Sequence, residues 1–275
     1  MSETMIETEL KLSRTAAARA VLKAKLGGKS SLERGREREE MALDWIYRWG
    51  WSSATTLEAL VGSGKSGLAR RLVKNGLLVS TKTISRRSEK YLPSAFLTLT
   101  EEGKRVTERT RADLIQYDMR PERVNQNLLA HDEMAQRTTA ERLYSGEIKG
   151  FLSEHEMAQK SEKGVKSPDV VWIFPDGLKV SVEIELSPKW ERDLDVFVRS
   201  TLISLVNKEG GARFDHMVLV TDNKAIFERY QKAFAPGATY SIWAKNAVGR
   251  WAITEQKKVP AWAEGKISWK LLKNS

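Results

Sequence analysis

Ser167-Pro168-Asp169-Val170-Val171-Trp172-Ile173-Phe174-Pro175-Asp176-Gly177-Leu178-Lys179-Val180-Ser181-Val182-Glu183-Ile184-Glu185 is the stretch that decides the fold. Val170 to Phe174 is a β-branched and aromatic run, and Pro175-Asp176-Gly177 is a turn signal. Residues 179–185 then alternate, with Val180, Val182 and Ile184 on one side and Lys179, Ser181, Glu183 and Glu185 on the other. The pattern predicts a β-hairpin. With the turn centred on Asp176, residues whose numbers sum to twice 176 stand opposite one another, which pairs Asp169 with Glu183 at a Cβ separation of roughly 5 Å. Three carboxylates on one face repel unless a cation lies among them, and oxygen-only ligands favour Mg²⁺ or Mn²⁺. A solvated hairpin face is the other reading of the same residues.

The length of 275 residues makes two domains the natural expectation and permits a substantial core. Lys plus Arg outnumber Asp plus Glu by 46 to 36, a formal charge of +10, which favours a polyanionic partner, nucleic acid first. No apolar run approaches the roughly 20 residues of a spanning helix, and the N-terminus lacks a signal-peptide core, so a soluble cytoplasmic protein without membrane contact is expected. The absence of Cys excludes disulfides, thiolate catalysis and the usual structural zinc sites. His131, His155 and His216 are too scattered for a multi-histidine metal motif.

Working outward, residues 1–36 read as a basic arm, with a helix over 10–26, for phosphate contact or for oligomerisation into a homo-oligomer. Residues 37–118 form a second unit. Met41, Leu43, Trp45, Ile46 and Trp49 predict a helix, 56–61 a short second helix, and 63–75 a third closed by Gly76. Strands over 77–83 and 95–99 flank a basic loop, and a polar helix runs from Thr100 to about 117. That order is a winged helix-turn-helix. Its third helix assigns Lys65, Arg70, Arg71 and Lys74 to the major groove of double-stranded DNA, and Arg86 and Arg87 to the wing. Gly62-Ser63-Gly64-Lys65-Ser66 imitates half of a phosphate-binding loop, but Ala59 stands where that pattern needs Gly and a helix precedes it. Residues 119–124 read as a linker around Pro121.

Residues 125–275 form the third unit: a helix over 131–144, a strand over 148–152, the hairpin, a helix from Ser187-Pro188 to about 206, then strand 215–220, helix 224–234, strand 240–244 and a Trp-rich tail. Glu154-His155-Glu156 reads as surface. The fold class is α/β in the α+β sense, a winged helix followed by a mixed-sheet core.

The order helix, three strands, helix, strand resembles the restriction-endonuclease-like core, and Pro168-Asp169 with Glu183-Ile184-Glu185 resembles its PD-(D/E)xK motif, Glu185 standing in the place of the lysine. A winged helix followed by His131-Asp132-Glu133 and then Asp169 with Glu183-x-Glu185 and Leu186-Ser187-Pro188-Lys189 resembles the plasmid replication-relaxation family with its MobC-type relaxases, over about residues 37–222. The resemblance implies metal-dependent nicking of a transfer origin in conjugative mobilisation, with coupling or other relaxosome proteins as partners. It implies that Asp169, Glu183 and Glu185 are the active-site carboxylates and metal ligands, and that His131 is a motif residue.

The implied chemistry activates a water and stabilises phosphoryl charge through Mg²⁺ or Mn²⁺. Lys179 or Lys189 is the candidate to stand in for the missing lysine. The expectations are that the metal-free fold survives removal of any one of the three carboxylates, and that a non-catalytic accessory or replication-initiation factor of the same fold is the alternative function. The ordered strand and helix pattern of 125–244 argues against a plain transcriptional regulator.

Overall fold

The computed structural model describes residues 28–64, 66–84, 90–158, 167–206 and 213–272. The chain is a mixed α+β protein. The predicted arm helix over 10–26, and Lys65, Arg86 and Arg87, lie outside the described residues.

The first helix, α1 (Ser31–Trp49), starts earlier than an arm ending at residue 36 allows. Ser30 caps it: its hydroxyl accepts from the Glu33 N–H while the Glu33 carboxylate accepts from the Ser30 N–H, a reciprocal capping box. Two short helices follow, α2 (Ala54–Leu60), capped by Ser53, and α3 (Leu68–Lys74). The third helix is shorter than the expected 63–75, because Gly67 adopts φ +67° and so cannot lie inside a helix. Strands β1 (Leu78–Lys82) and β2 (Ala95–Leu99) pair antiparallel, and Thr100 caps α4 (Glu101–Glu108). This helix stops at Glu108 instead of reaching residue 117. The chain beyond it turns back so that the Tyr117 hydroxyl donates to the Gly50 carbonyl and accepts from the Leu99 N–H, at 3.0 and 2.9 Å.

A five-stranded sheet makes the second half. Helix α5 (Leu129–Ser145) leads into β3 (Gly150–Ser153), short helix α6 (Glu154–Ala158), β4 (Val170–Ile173) and β5 (Lys179–Ile184). Helix α7 (Glu191–Leu205) carries the chain to β6 (His216–Thr221), parallel to β5. Helix α8 (Lys224–Ala233) and a separate antiparallel ribbon of β7 (Thr239–Lys245) and β8 (Trp251–Lys258) precede β9 (Ile267–Leu271), which joins the sheet parallel to β6. The sheet order is β3-β4-β5-β6-β9. Helix α5 lies on one face, where Met134 and Ala140 share a core with Val170, Trp172, Val180 and Val182, and Trp172 donates its indole N–H to the Thr139 hydroxyl. On the other face α7 and α8 bring Phe197, Leu202, Ile226 and Tyr230 against Val171, Met217 and Leu219. Strand β5 is thereby covered on both faces, as a parallel-paired central strand must be.

The same hydrophobic cluster that holds α5 and the sheet also contains Leu43, Trp45, Leu57 and Leu72 of the first three helices. Gln136 stitches the two halves together: its carbonyl accepts from the Trp45 indole and its amide donates to the Trp51 carbonyl, both at 3.0 Å in buried surroundings. Among the described residues no helix is long and apolar enough to cross a membrane.

Candidate active site at the end of the central hairpin

The hairpin has the register its sequence predicts. Val170 pairs with Val182, and 170 plus 182 is 352, twice 176. The ladder ends at that pair; one further step sets Asp169 across from Glu183. At this end the backbone gives way to side-chain bonding. The Asp169 N–H donates to the Val182 carbonyl at 3.1 Å, and its carboxylate Oδ2 accepts from the Ile184 N–H at 2.6 Å.

From the α5 side, His131 reaches the same point. Its Nε2 is 3.1 Å from the Ile184 carbonyl and 3.3 Å from Asp169 Oδ2, while its Nδ1 is 3.0 Å from Asp132 Oδ1. Burial opposes a charge on this ring, but the hydrogen bonds and charges of Asp132 and Asp169 outweigh it and raise the imidazole pKa to about 11. His131 is therefore an imidazolium at neutral pH, donating from both nitrogens.

Glu185 faces another way. Its backbone N–H continues the parallel pairing to the Val220 carbonyl at 2.9 Å, and its side chain, 4% exposed, meets the Lys189 ammonium through Oε1 and the Tyr230 hydroxyl through Oε2. Tyr230 is held protonated, its pKa pushed up by burial first and then by the charge of Glu185. Glu183 sits within β5 opposite Leu219, so strand alternation turns it to the face covered by α7 rather than to a solvated one. Lys179, the other lysine considered, is exposed at the far end of the strand, where its backbone N–H donates to Asp215.

The expected start of α7 at Ser187-Pro188 is corrected: the helix begins at Glu191, with Trp190 as the capping position. The residues between are held by other bonds. The Lys189 N–H donates to the Tyr230 hydroxyl at 3.2 Å, and Arg229 donates to the Lys189 carbonyl at 3.1 Å. Lys189 is thus aimed back at Glu185.

A groove of about 510 Å³ brings His131, Ile184, Glu185 and Lys189 together with Lys90 and Tyr91 of the segment between β1 and β2. Asp169 lines a second hollow with Asp132 and Arg123. Sequence reading gave Tyr230 no role, and took Asp132 only as part of the motif around His131. Tyr230 carries no local signal, since it is one apolar position of an amphipathic helix. Asp132 had one: an acid next to a histidine at a helix start.

The carboxylates do not converge as the hairpin pattern implied. Among the described residues no three His or acidic side chains stand close enough to share a metal ion. The reason is local: Asp169 turns to Ile184 and His131, whereas Glu185 lies beyond the last strand residue and turns to α8.

Arg70, Arg71 and Lys74 are exposed on α3, away from this groove. Arg71 shares a separate hollow with Arg34 and Arg38 of α1, two cations on either side of the expected arm boundary. His155 lies on α6 and bonds the Gln116 carbonyl at 2.9 Å, while Glu156 pairs with Arg48 at 2.9 Å. The surface reading of that trio holds for Glu154, while His155 and Glu156 are half-buried on the helix. No protein-family model, no curated protein and no solved structure matches this chain.

Proposed function

We propose that this protein binds double-stranded DNA through a winged helix-turn-helix and nicks it through a restriction-endonuclease-like core, in the manner of a mobile-element relaxase. One observation carries the reading. Three separate elements deliver Asp169, the Ile184 carbonyl and the His131 ring to one point, and His131 and Ile184 also line the groove that holds the Glu185–Lys189 pair. The helix, three antiparallel strands, crossover helix and parallel strand that build it follow the order of that nuclease core. The exposed Arg70, Arg71 and Lys74 on the third helix, followed by a two-stranded ribbon, supply the DNA-docking half.

Asp169, Glu183 and the Ile184 carbonyl are the oxygen donors that would hold Mg²⁺ or Mn²⁺. They fit such an ion in kind, being hard oxygens, but fall short of a full donor set in the arrangement described. A bound ion of this type lowers the pKa of water and stabilises charge on a phosphoryl group. The chain's own residues do the rest. Glu185 holds the Lys189 ammonium in the groove, where it faces an incoming phosphate and supplies the cation that the motif's lysine otherwise brings. His131 lines the same groove and bonds Asp169 and the Ile184 carbonyl, which positions the end of β5.

The test is a supercoiled plasmid carrying the DNA that flanks the protein's own gene, incubated across a Mg²⁺ and Mn²⁺ titration. Nicking by the wild type that Asp169→Asn and Lys189→Met abolish, with DNA binding retained, supports the reading. A second reading, a non-catalytic accessory or initiation factor, is favoured by the fact that Asp169 and Glu185 both already have protein partners. Wild-type binding without nicking at any metal concentration would establish it.

A further inference from the structure

The β7–β8 ribbon stands apart from the five-stranded sheet, and nearly all of β8 is exposed. Its residues 239–258 carry four cations, Lys245, Arg250, Lys257 and Lys258, against one acid, Glu255. Trp251, 49% exposed, lies on this ribbon with the Arg192 guanidinium 4.7 Å and the Lys245 ammonium 5.6 Å from its ring centre. Two residues before Arg192, at the start of α7, Trp190 is 60% exposed, and the Arg229 guanidinium lies 3.6 Å from its ring centre. The ribbon is fixed to α7 by the Trp243 indole donating to Asp195 at 2.8 Å. Glu191, which follows Trp190, is the one non-glycine among the described residues with positive φ, at +39°.

Large rings left in water beside cations are poorly explained by folding, since burial of a Trp is favourable and neither ring is buried. The basic ribbon selects an anionic partner, and the rings select one with flat apolar faces. Duplex DNA offers phosphates but keeps its base faces stacked inside. A single strand offers both. We propose that Trp190 and Trp251, with Arg192, Arg229, Lys245 and Arg250, form a stacking surface for single-stranded DNA. Trp190 adjoins Lys189, whose side chain lines the groove of the candidate active site. The choice of DNA over RNA rests on the nicking reading above; the surface itself does not.

Full-length protein is titrated into fluorescein-labelled dT20, rU20 and a 20-base-pair duplex, with binding read by anisotropy, so that no cleavage is needed. Trp190→Ala and Trp251→Ala are each expected to weaken dT20 binding on the order of ten-fold, while duplex binding changes less than about two-fold. Trp190→Phe and Trp251→Phe, which keep a ring, are expected to restore most of the affinity. Arg250→Ala is expected to lower the slope of log affinity against log salt by about 0.7 for dT20. Unchanged dT20 binding in the Trp190→Ala, Trp251→Ala double variant overturns the proposal, as does an equal weakening for the duplex. Tighter binding of rU20 than dT20 overturns the assignment to DNA. Absence of nicking with these binding results intact would remove the nuclease reading alone.

Discussion

The His131 Nε2 lies 3.3 Å from Asp169 Oδ2, joining the first helix of the sheet half to the strand that begins the central hairpin. Because the Ile184 carbonyl is 3.1 Å from the same nitrogen, one N–H is shared between the two oxygens. The imidazolium is the positive charge around which the end of β5 is arranged.

The His131–Asp169 pair is expected to be energetically coupled. His131→Ala leaves Asp169 with the Ile184 N–H but without its cation. A double-mutant cycle combining His131→Ala with Asp169→Ala should return a coupling of about 1–3 kcal/mol in urea unfolding at neutral pH. Additive effects of the two substitutions would remove His131 from the site's architecture.

Asp169→Ala should destabilise the protein by about 1–3 kcal/mol, since it strips the Ile184 N–H and the His131 imidazolium of an acceptor. This reverses the expectation from sequence that removal of a crowded carboxylate leaves the metal-free fold unharmed. Asp169 and Glu185 are each bonded to protein partners, so removing the Asp169 carboxylate takes away bonds as well as charge. Asp169→Asn keeps one oxygen acceptor and should unfold within roughly 1 kcal/mol of the wild type, which makes it the cleaner probe of chemistry. Equal urea midpoints for the Ala variant and the wild type would contradict the capping role.

DNA affinity is expected to depend on α3. Replacing Arg70, Arg71 and Lys74 together by Ala should lower the slope of log affinity against log salt on duplex DNA by about 0.9 for each phosphate that these side chains neutralise. An unchanged salt slope would place the duplex-binding surface elsewhere, with Arg34 and Arg38 of the adjoining hollow as the next residues to replace.

Much of this fold is legible in the sequence. The hairpin register follows from one turn centre and a period of two, and the caps at Ser53, Thr100 and Asn223 follow local rules. Some boundaries failed on local signals passed over, the Ser30–Glu33 capping box and Gly67; the rest was set by residues distant in sequence. Ser187-Pro188 is a strong helix start, but Tyr230 and Arg229 hold the next residue extended, so α7 begins later. The pairing of β9 with β6 has no local signature, because either strand alone is merely a short apolar run. At the site, Asp169, Glu183 and Glu185 are identifiable as a constellation, yet where each carboxylate points is decided by His131, α7 and Tyr230.

Gln136 is expected to couple the two halves into one cooperative unit. Gln136→Leu removes the acceptor of the Trp45 indole and the donor to the Trp51 carbonyl, both buried, at a cost of roughly 2–4 kcal/mol. Unfolding followed by far-ultraviolet circular dichroism and by tryptophan fluorescence should coincide in the wild type. Separated transitions in the wild type would show that the shared core does not bind the halves together.

Glu133 gives stability a pH dependence. Its carboxyl is 5% exposed, with Oε1 accepting from the Ser53 and Thr56 hydroxyls at 2.7 and 3.0 Å and Oε2 without a partner. Burial is the largest influence and raises its pKa above the ordinary 4.5, against the opposing hydrogen bonds. A carboxyl with a raised folded pKa binds its proton more tightly folded than unfolded. Its penalty is therefore absent below about pH 4.5, grows as pH rises, and is complete once the pH exceeds the folded pKa. Glu133→Gln cannot ionise and escapes that penalty. The stability of the wild type relative to Glu133→Gln should fall as pH rises above about 4.5, with a slope of at most about 1.4 kcal/mol per pH unit, and level off once the raised folded pKa is passed. Urea midpoints of both proteins at unit steps across that range check it, and a difference constant with pH would mean that Glu133 titrates as a solvated carboxylate despite its burial.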